Sequence, residues 1–161
     1  NKKIIVYGNR KTVSLLKKRH DYLFKNKSIY PAIMKSQLVK KKFSLGKNNT
    51  KVTLKSINVK HGKTKSVVYI FEKTAYISDC KDLSIINFNE LKRLNYLILD
   101  CLRFTEHKTH FNLEEALYVA NQLKPKKTIL TNLHSDMDYD YLLKILPKNV
   151  IPAYDGLTLN L

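Results

Sequence analysis

Short apolar runs alternate with helical stripes between Tyr96 and Leu146, and this order constrains the fold more than any other feature of the chain. Tyr96-Leu97-Ile98-Leu99 is a buried-type strand. Leu113, Ala116, Leu117, Ala120 and Leu123 then recur at helical spacing and make one apolar stripe. Asn112 stands before that stripe and Glu115 three residues later, an Asn form of the capping box. Lys124-Pro125 ends the helix, because the residue before a proline is pushed out of helical geometry. A strand at 128–131 follows, then a helix over 139–146 that stops at Pro147. The tail Leu157-Thr158-Leu159 reads as a last short strand.

Upstream, residues 3–7 form an apolar strand, Asn9 is placed to cap a helix, and a basic helix runs to about His20 with Val13 and Leu16 on one face. Residues 25–50 carry only weak signals, Tyr30-Pro31 and the turn former Gly46-Lys47-Asn48-Asn49. A β meander begins at Lys51. Its first strand ends at His61-Gly62, and strands at 66–71 and 74–78 flank Glu72-Lys73, which is not a favoured hairpin turn. A short helix is expected at 88–93. The order β-α, meander, β-α-β-α-β predicts one α/β (α+β) domain over 1–161, a sheet with helices packed on it.

Composition narrows the classes. With 43% hydrophobic residues in 161, one packed core is feasible. The longest apolar runs are about five residues, such as Val67–Phe71, against the roughly 20 a membrane helix needs. No membrane association is expected. Cys80 and Cys101 lie far apart without CxxC spacing, so they read as small apolar thiols of a reducing, cytoplasmic compartment. The chain opens at Asn1 directly before a buried-type strand, so a preceding segment is expected. The net charge of +17 invites a nucleic-acid reading. Lysine dominates it, however, and is dispersed apart from Lys40-Lys41-Lys42, whereas specific phosphate and base contacts favour arginine.

Four residues with ligand chemistry follow strand-like runs: His61, Asp79, Asp100 and His134. Ligands of α/β sheets gather at strand ends. Two imidazoles and two carboxylates suit a divalent ion such as Zn²⁺ or Mn²⁺. Loop Asp and His residues are equally common as turn formers, so position alone leaves both readings open. His20 suits a helix C-terminus, and His107 and His110 lie in a polar loop that fits either a substrate-binding element or an ordinary connection.

Taken together, His61-Gly62, Ser78-Asp79, Leu99-Asp100-Cys101-Leu102-Arg103, Thr109-His110-Phe111, Thr131–Tyr139 and Pro152–Leu157 resemble the metallo-β-lactamase-fold hydrolases. The branch is the one related to the phosphonate-pathway cyclic phosphodiesterase. The likeness covers essentially the whole chain and is densest from residue 96 onward. It implies the C-terminal portion of an αββα sandwich whose intact site holds two divalent ions, Zn or Mn, and cleaves a small phosphodiester. By that resemblance His61 and Asp79 are metal ligands, and Asp79 bridges the ions as a catalytic residue. His110 contacts the substrate phosphate or acts as an acid. Arg103 offsets phosphate charge, and Asp100 orients a ligand histidine from behind.

Two departures stand out. The family's H-x-H-x-D-H motif has no counterpart in this chain. The family's last ligand often follows a Thr, a position held here by Asn132, so either His134 takes its place by a small loop shift or Asn132 is a weak ligand, and His134 is preferred because imidazole binds zinc better than a carboxamide. The chain is therefore expected to be inactive alone, and to need an N-terminal half or a second copy. The alternative class is a non-enzymatic basic module that binds nucleic acid, or a split-gene half.

Overall fold

A computed structural model describes residues 2–26, 30–84, 86 and 88–160. The chain divides into two compact units, Asn1–Phe43 and Ser44–Leu161. In the first, β1 (Ile4–Gly8) pairs in parallel with β2 (Met34–Leu38), in a register that runs from Ile4 opposite Met34 to Gly8 opposite Leu38. Helix α1 (Arg10–Arg19) connects them, with a short second helix, α2 (Asp21–Phe24), behind it. The expected cap is present: Asn9 Oδ1 accepts from Thr12 N at 2.8 Å. Among the described residues of this unit, Val13 and Ala32 are the buried hydrophobic side chains.

The second unit is built on a seven-stranded sheet in strand order β3-β4-β5-β6-β7-β8-β9. The strands are β3 (Lys42–Leu45), which begins in the last residues of the first unit, β4 (Val52–His61), β5 (Thr64–Phe71), β6 (Thr74–Ile77), β7 (Tyr96–Asp100), β8 (Lys127–Thr131) and β9 (Val150–Pro152). β4, β5 and β6 form an antiparallel meander, and β6 through β9 are parallel. Helix α3 (Leu113–Leu123) makes the crossover between β7 and β8, and α4 (Tyr139–Ile145) the one between β8 and β9. The α/β class expected from the sequence is the one observed. Among the described residues no helix is long and apolar enough to cross a membrane.

Local chemistry explains these boundaries. Asn112 and Glu115 close a reciprocal cap, Glu115 N to Asn112 Oδ1 at 2.9 Å and Asn112 N to Glu115 Oε2 at 3.0 Å. Asp138 caps α4 through Tyr141 N at 2.7 Å. The unfavoured Glu72-Lys73 turn is formed with both residues left-handed, φ 42 and 60, as a tight hairpin requires. Lys73 O holds it by accepting from Asn95 N at 2.7 Å.

Two expectations are corrected, and one segment left unassigned from sequence takes shape. The last strand is Val150–Pro152, not 157–159, because Val150 N bonds Pro147 O and Thr128 N bonds Asn149 O, which steers the chain alongside β8 right after the proline. The segment 25–50 contains β2 and β3, whose mixed, half-exposed side chains hide the strand period. The helix at 88–93 is a single 3₁₀ turn, Phe88–Leu91.

The core centres on β7. Leu97, Leu99, Ile77 and Leu130 from adjacent parallel strands are fully buried, joined by Val68, Leu91 and Leu142. Cys80 and Cys101 are free thiols in the same core. Burial pushes both thiol pKa values up to about 12. Two outcomes follow. Leu99→Ala should lower unfolding free energy by about 2–5 kcal/mol in urea titration, since a fully buried leucine leaves a cavity. At pH 8 neither thiol should react with Ellman's reagent until denaturant is added, when both should.

Candidate metal centre

β4 and β6 are each antiparallel to β5, so they run in the same direction, and β7 and β8 run parallel to β6. The C-terminal ends of β4, β6, β7 and β8 therefore lie on one rim. His61 ends β4, Asp79 follows β6, Asp100 ends β7 and Asn132 follows β8. His110 arrives from the loop between β7 and α3, which Leu102 N ties back on itself by donating to Phe111 O at 2.8 Å.

His61, Asp79 and His110 each offer one ligand atom, and these atoms all lie within 4.8 Å of one another. The two imidazole centroids are 4.6 Å apart with planes at 74°. A missing side chain permits this approach. Gly62 has φ +56, and a Cβ there would stand 2.6 Å from Thr109 Cγ2. Glycine thus lets the His61 turn seat directly on the residue before His110. Among the described residues His61 Nδ1 is buried with no hydrogen-bond partner.

Beneath the cluster lies Asp100, fully buried. Its carboxylate lies 2.9 and 3.2 Å from His110 Nδ1. It also accepts from Asn132 Nδ2 at 3.0 Å, Cys80 N at 3.3 Å and Phe111 N at 3.4 Å. Desolvation raises its pKa, opposed by the Asn132 amide, the neighbouring His110 and the Cys80 N–H. Asn132 Nδ2 also lies 3.3 Å from His110 Nδ1. The shorter contact to a buried carboxylate makes Nδ1 a donor, and the Asn132 amide then donates to Asp100 as well. His110 Nε2 is the ring atom left for other chemistry.

The remaining expected residues are placed as follows. His134 stands apart from the cluster: its ring is 58% exposed and its Nδ1 lies 2.9 Å from Asp136. The structure thus brings together two of the three expected ligands, His61 and Asp79, and puts His110 beside them rather than His134. Asn132, left-handed at φ 66, directs its amide to Asp100. The histidine that Asp100 contacts from behind is His110. Arg103 donates from Nη2 to Glu106 O at 2.7 Å, while its Nε is buried without a partner among the described residues. His107, read from sequence as part of either a substrate-binding loop or an ordinary connection, lies 5.2 Å from His110. Its Nδ1 accepts from Thr109 N at 3.3 Å, and desolvation, then the charge of Arg103, hold its pKa below the usual histidine range.

Comparison with known proteins gives a consistent picture. Residues 1–132 match the family model of the Beta-lactamase superfamily domain. The Octanoyltransferase of Porphyromonas gingivalis (strain ATCC BAA-308 / W83) is 25% identical over 160 residues, covering 98% of this chain and 32% of that protein. A new diphosphatase from the PhnP family superposes with a TM-score of 0.85 at 27% identity, over 100% of this chain and 60% of that one. The metallo-β-lactamase fold protein YhfI from Bacillus subtilis superposes at 0.70 with 17% identity, over 95% and 63%. The chain thus spans about a third of the curated relative and under two thirds of either solved structure.

The Asp100 contacts generate a direct test. Long-range ¹H–¹⁵N spectra at pH 8 should show His110 as the Nδ1–H tautomer. Asp100→Ala should release that preference. The same variant should cost about 2 kcal/mol or more in urea unfolding, because buried N–H donors lose their acceptor.

Proposed function

The chain belongs to the β-lactamase superfamily, a superfamily of metal-dependent hydrolases, and on that premise we propose that it carries part of a phosphodiesterase-like hydrolytic site built on His61, Asp79 and His110. The single observation behind this reading is the convergence of those three side chains, from three separate segments, within 4.8 Å. Two imidazole nitrogens and a carboxylate oxygen form a donor set suited to Zn²⁺ or Mn²⁺. The buried, unpartnered Nδ1 of His61 supports the fit, since an orphaned ring nitrogen is costly unless something occupies it. A bound divalent ion would supply Lewis acidity, polarising a phosphoryl oxygen and activating water.

The protein's own groups have separable tasks. Asp79 contributes negative charge that draws a cation to the rim. Asp100 pins one face of His110 and so aims Nε2. Arg103, with a buried Nε that lacks a partner among the described residues, is the cation best suited to offset the charge of a phosphodiester. A small phosphodiester is the proposed substrate class, in keeping with the diphosphatase likeness. His110 also supports a second role. A fully buried carboxylate 2.9 Å from Nδ1 fixes the ring so that Nε2 faces the site, the position from which an acid delivers a proton to the leaving oxygen.

Calorimetric titration of the full chain with ZnCl₂ tests the assignment. His61→Ala and Asp79→Ala should each weaken binding tenfold or more. His110→Gln distinguishes its two roles: weakened binding marks a ligand, while unchanged binding with lost turnover marks the acid. Absence of Zn²⁺ binding, or binding indifferent to Asp79→Ala, would overturn the reading. Turnover of bis-p-nitrophenyl phosphate by the metal-loaded chain should be slow at best, because three ligands without an H-x-H-x-D-H motif make half of a two-ion site.

A further inference from the structure

The positive charge is unevenly shared between the two compact units. The first 43 residues hold 13 of the 30 lysines and arginines but, in Asp21, only one of the 13 acidic residues. That unit therefore carries twelve of the seventeen excess positive charges in little more than a quarter of the chain. Its lone carboxylate is already engaged, 3.9 Å from Lys25.

Helix α1 concentrates this charge on one side. At about 100° per residue, Lys17, Arg10, Ser14, Lys18 and Lys11 fall within an arc of about 120°. Every one of them is exposed. Of the least exposed positions of the helix, Leu16 lies opposite this arc and Val13 flanks its edge. The helix has no acidic residue in its first turn, and among the described residues none of Arg10, Lys11, Lys17 or Lys18 is in an ion pair. Four like charges so placed repel one another and lower the helix's own stability. A polyanion laid along the face would convert that repulsion into binding.

Two aromatic rings accompany the charge. Tyr22 is 54% exposed and Tyr30 68%, and the edge contact of His20 with Tyr22 steadies the former. Exposed rings in the same compact unit as a lysine-rich stripe are the composition that holds single-stranded nucleic acid: ammonium groups track phosphates while flat side chains stack on any base. Lysine predominates over arginine here, which suits point-charge contact with a backbone rather than bidentate reading of base edges.

We propose that the basic face of α1, with Tyr22 and Tyr30, is a binding surface for single-stranded RNA that recognises backbone and stacking rather than sequence. The assignment is independent of the metal centre, and none of its residues belongs to it. Fluorescence anisotropy with a labelled U₂₀ oligonucleotide, from 50 to 200 mM KCl, tests it on the full chain. Affinity should fall with salt at a log–log slope near −3, about 0.7 per neutralised phosphate for four contacts. The variant Arg10→Gln/Lys11→Gln/Lys17→Gln/Lys18→Gln should bind at least tenfold more weakly with a nearly flat salt response. A charge-matched control, Lys124→Gln/Lys126→Gln/Lys127→Gln/Lys148→Gln, should retain most of the affinity. Equal loss in the two variants would overturn the proposal, since net charge rather than this face would then be responsible. Binding to phosphatidylglycerol vesicles without binding to U₂₀ would overturn it also, in favour of an anionic membrane surface.

Discussion

One buried carboxylate organises this molecule. Asp100 stands where β7 ends, with no exposure to water, and meets donors from three other segments. An ionised group in such a place is tolerated only when its lone pairs are occupied. Cys80 N brings in the end of β6, Asn132 the end of β8, and His110 and Phe111 N the loop before α3. The same contacts that satisfy Asp100 thus hold the strand ends in mutual position. Chemistry at the rim inherits its geometry from a residue lying underneath it.

Much of the scaffold was legible because local and tertiary preferences agree. The strand at Tyr96–Leu99, the capped helix at 113–123 and the stop at Pro147 all declare themselves through periodicity and caps, and all are formed. The elements that escaped prediction lack such agreement. β2 and β3 are short and half-exposed, so neither face shows a clean alternation. β9 is three residues long and owes its place to pairing with β8, which no local signal announces. The tail at 157–159 has alternating apolar residues but no neighbouring strand to pair with among those described.

Site residues divide in the same way. His61 and Asp100 each end a strand and Asp79 closely follows one, so position along the chain marks them. His134 also follows a strand, yet its backbone N–H is drawn to Leu102 O and its ring turns to Asp136. His110 could be singled out by resemblance, but its partnership with His61 is a tertiary fact: two loops nearly fifty residues apart meet, and nothing in their spacing requires it.

The seat of Gly62 on Thr109 carries a consequence for how this rim can vary. Position 62 tolerates only hydrogen while a branched side chain occupies 109, and a branched side chain at 109 tolerates only glycine opposite. A side chain added at 62 wedges the two turns apart and with them the imidazoles they carry. Position 62 is left-handed as well as crowded, so trimming 109 does not by itself open it to a larger residue.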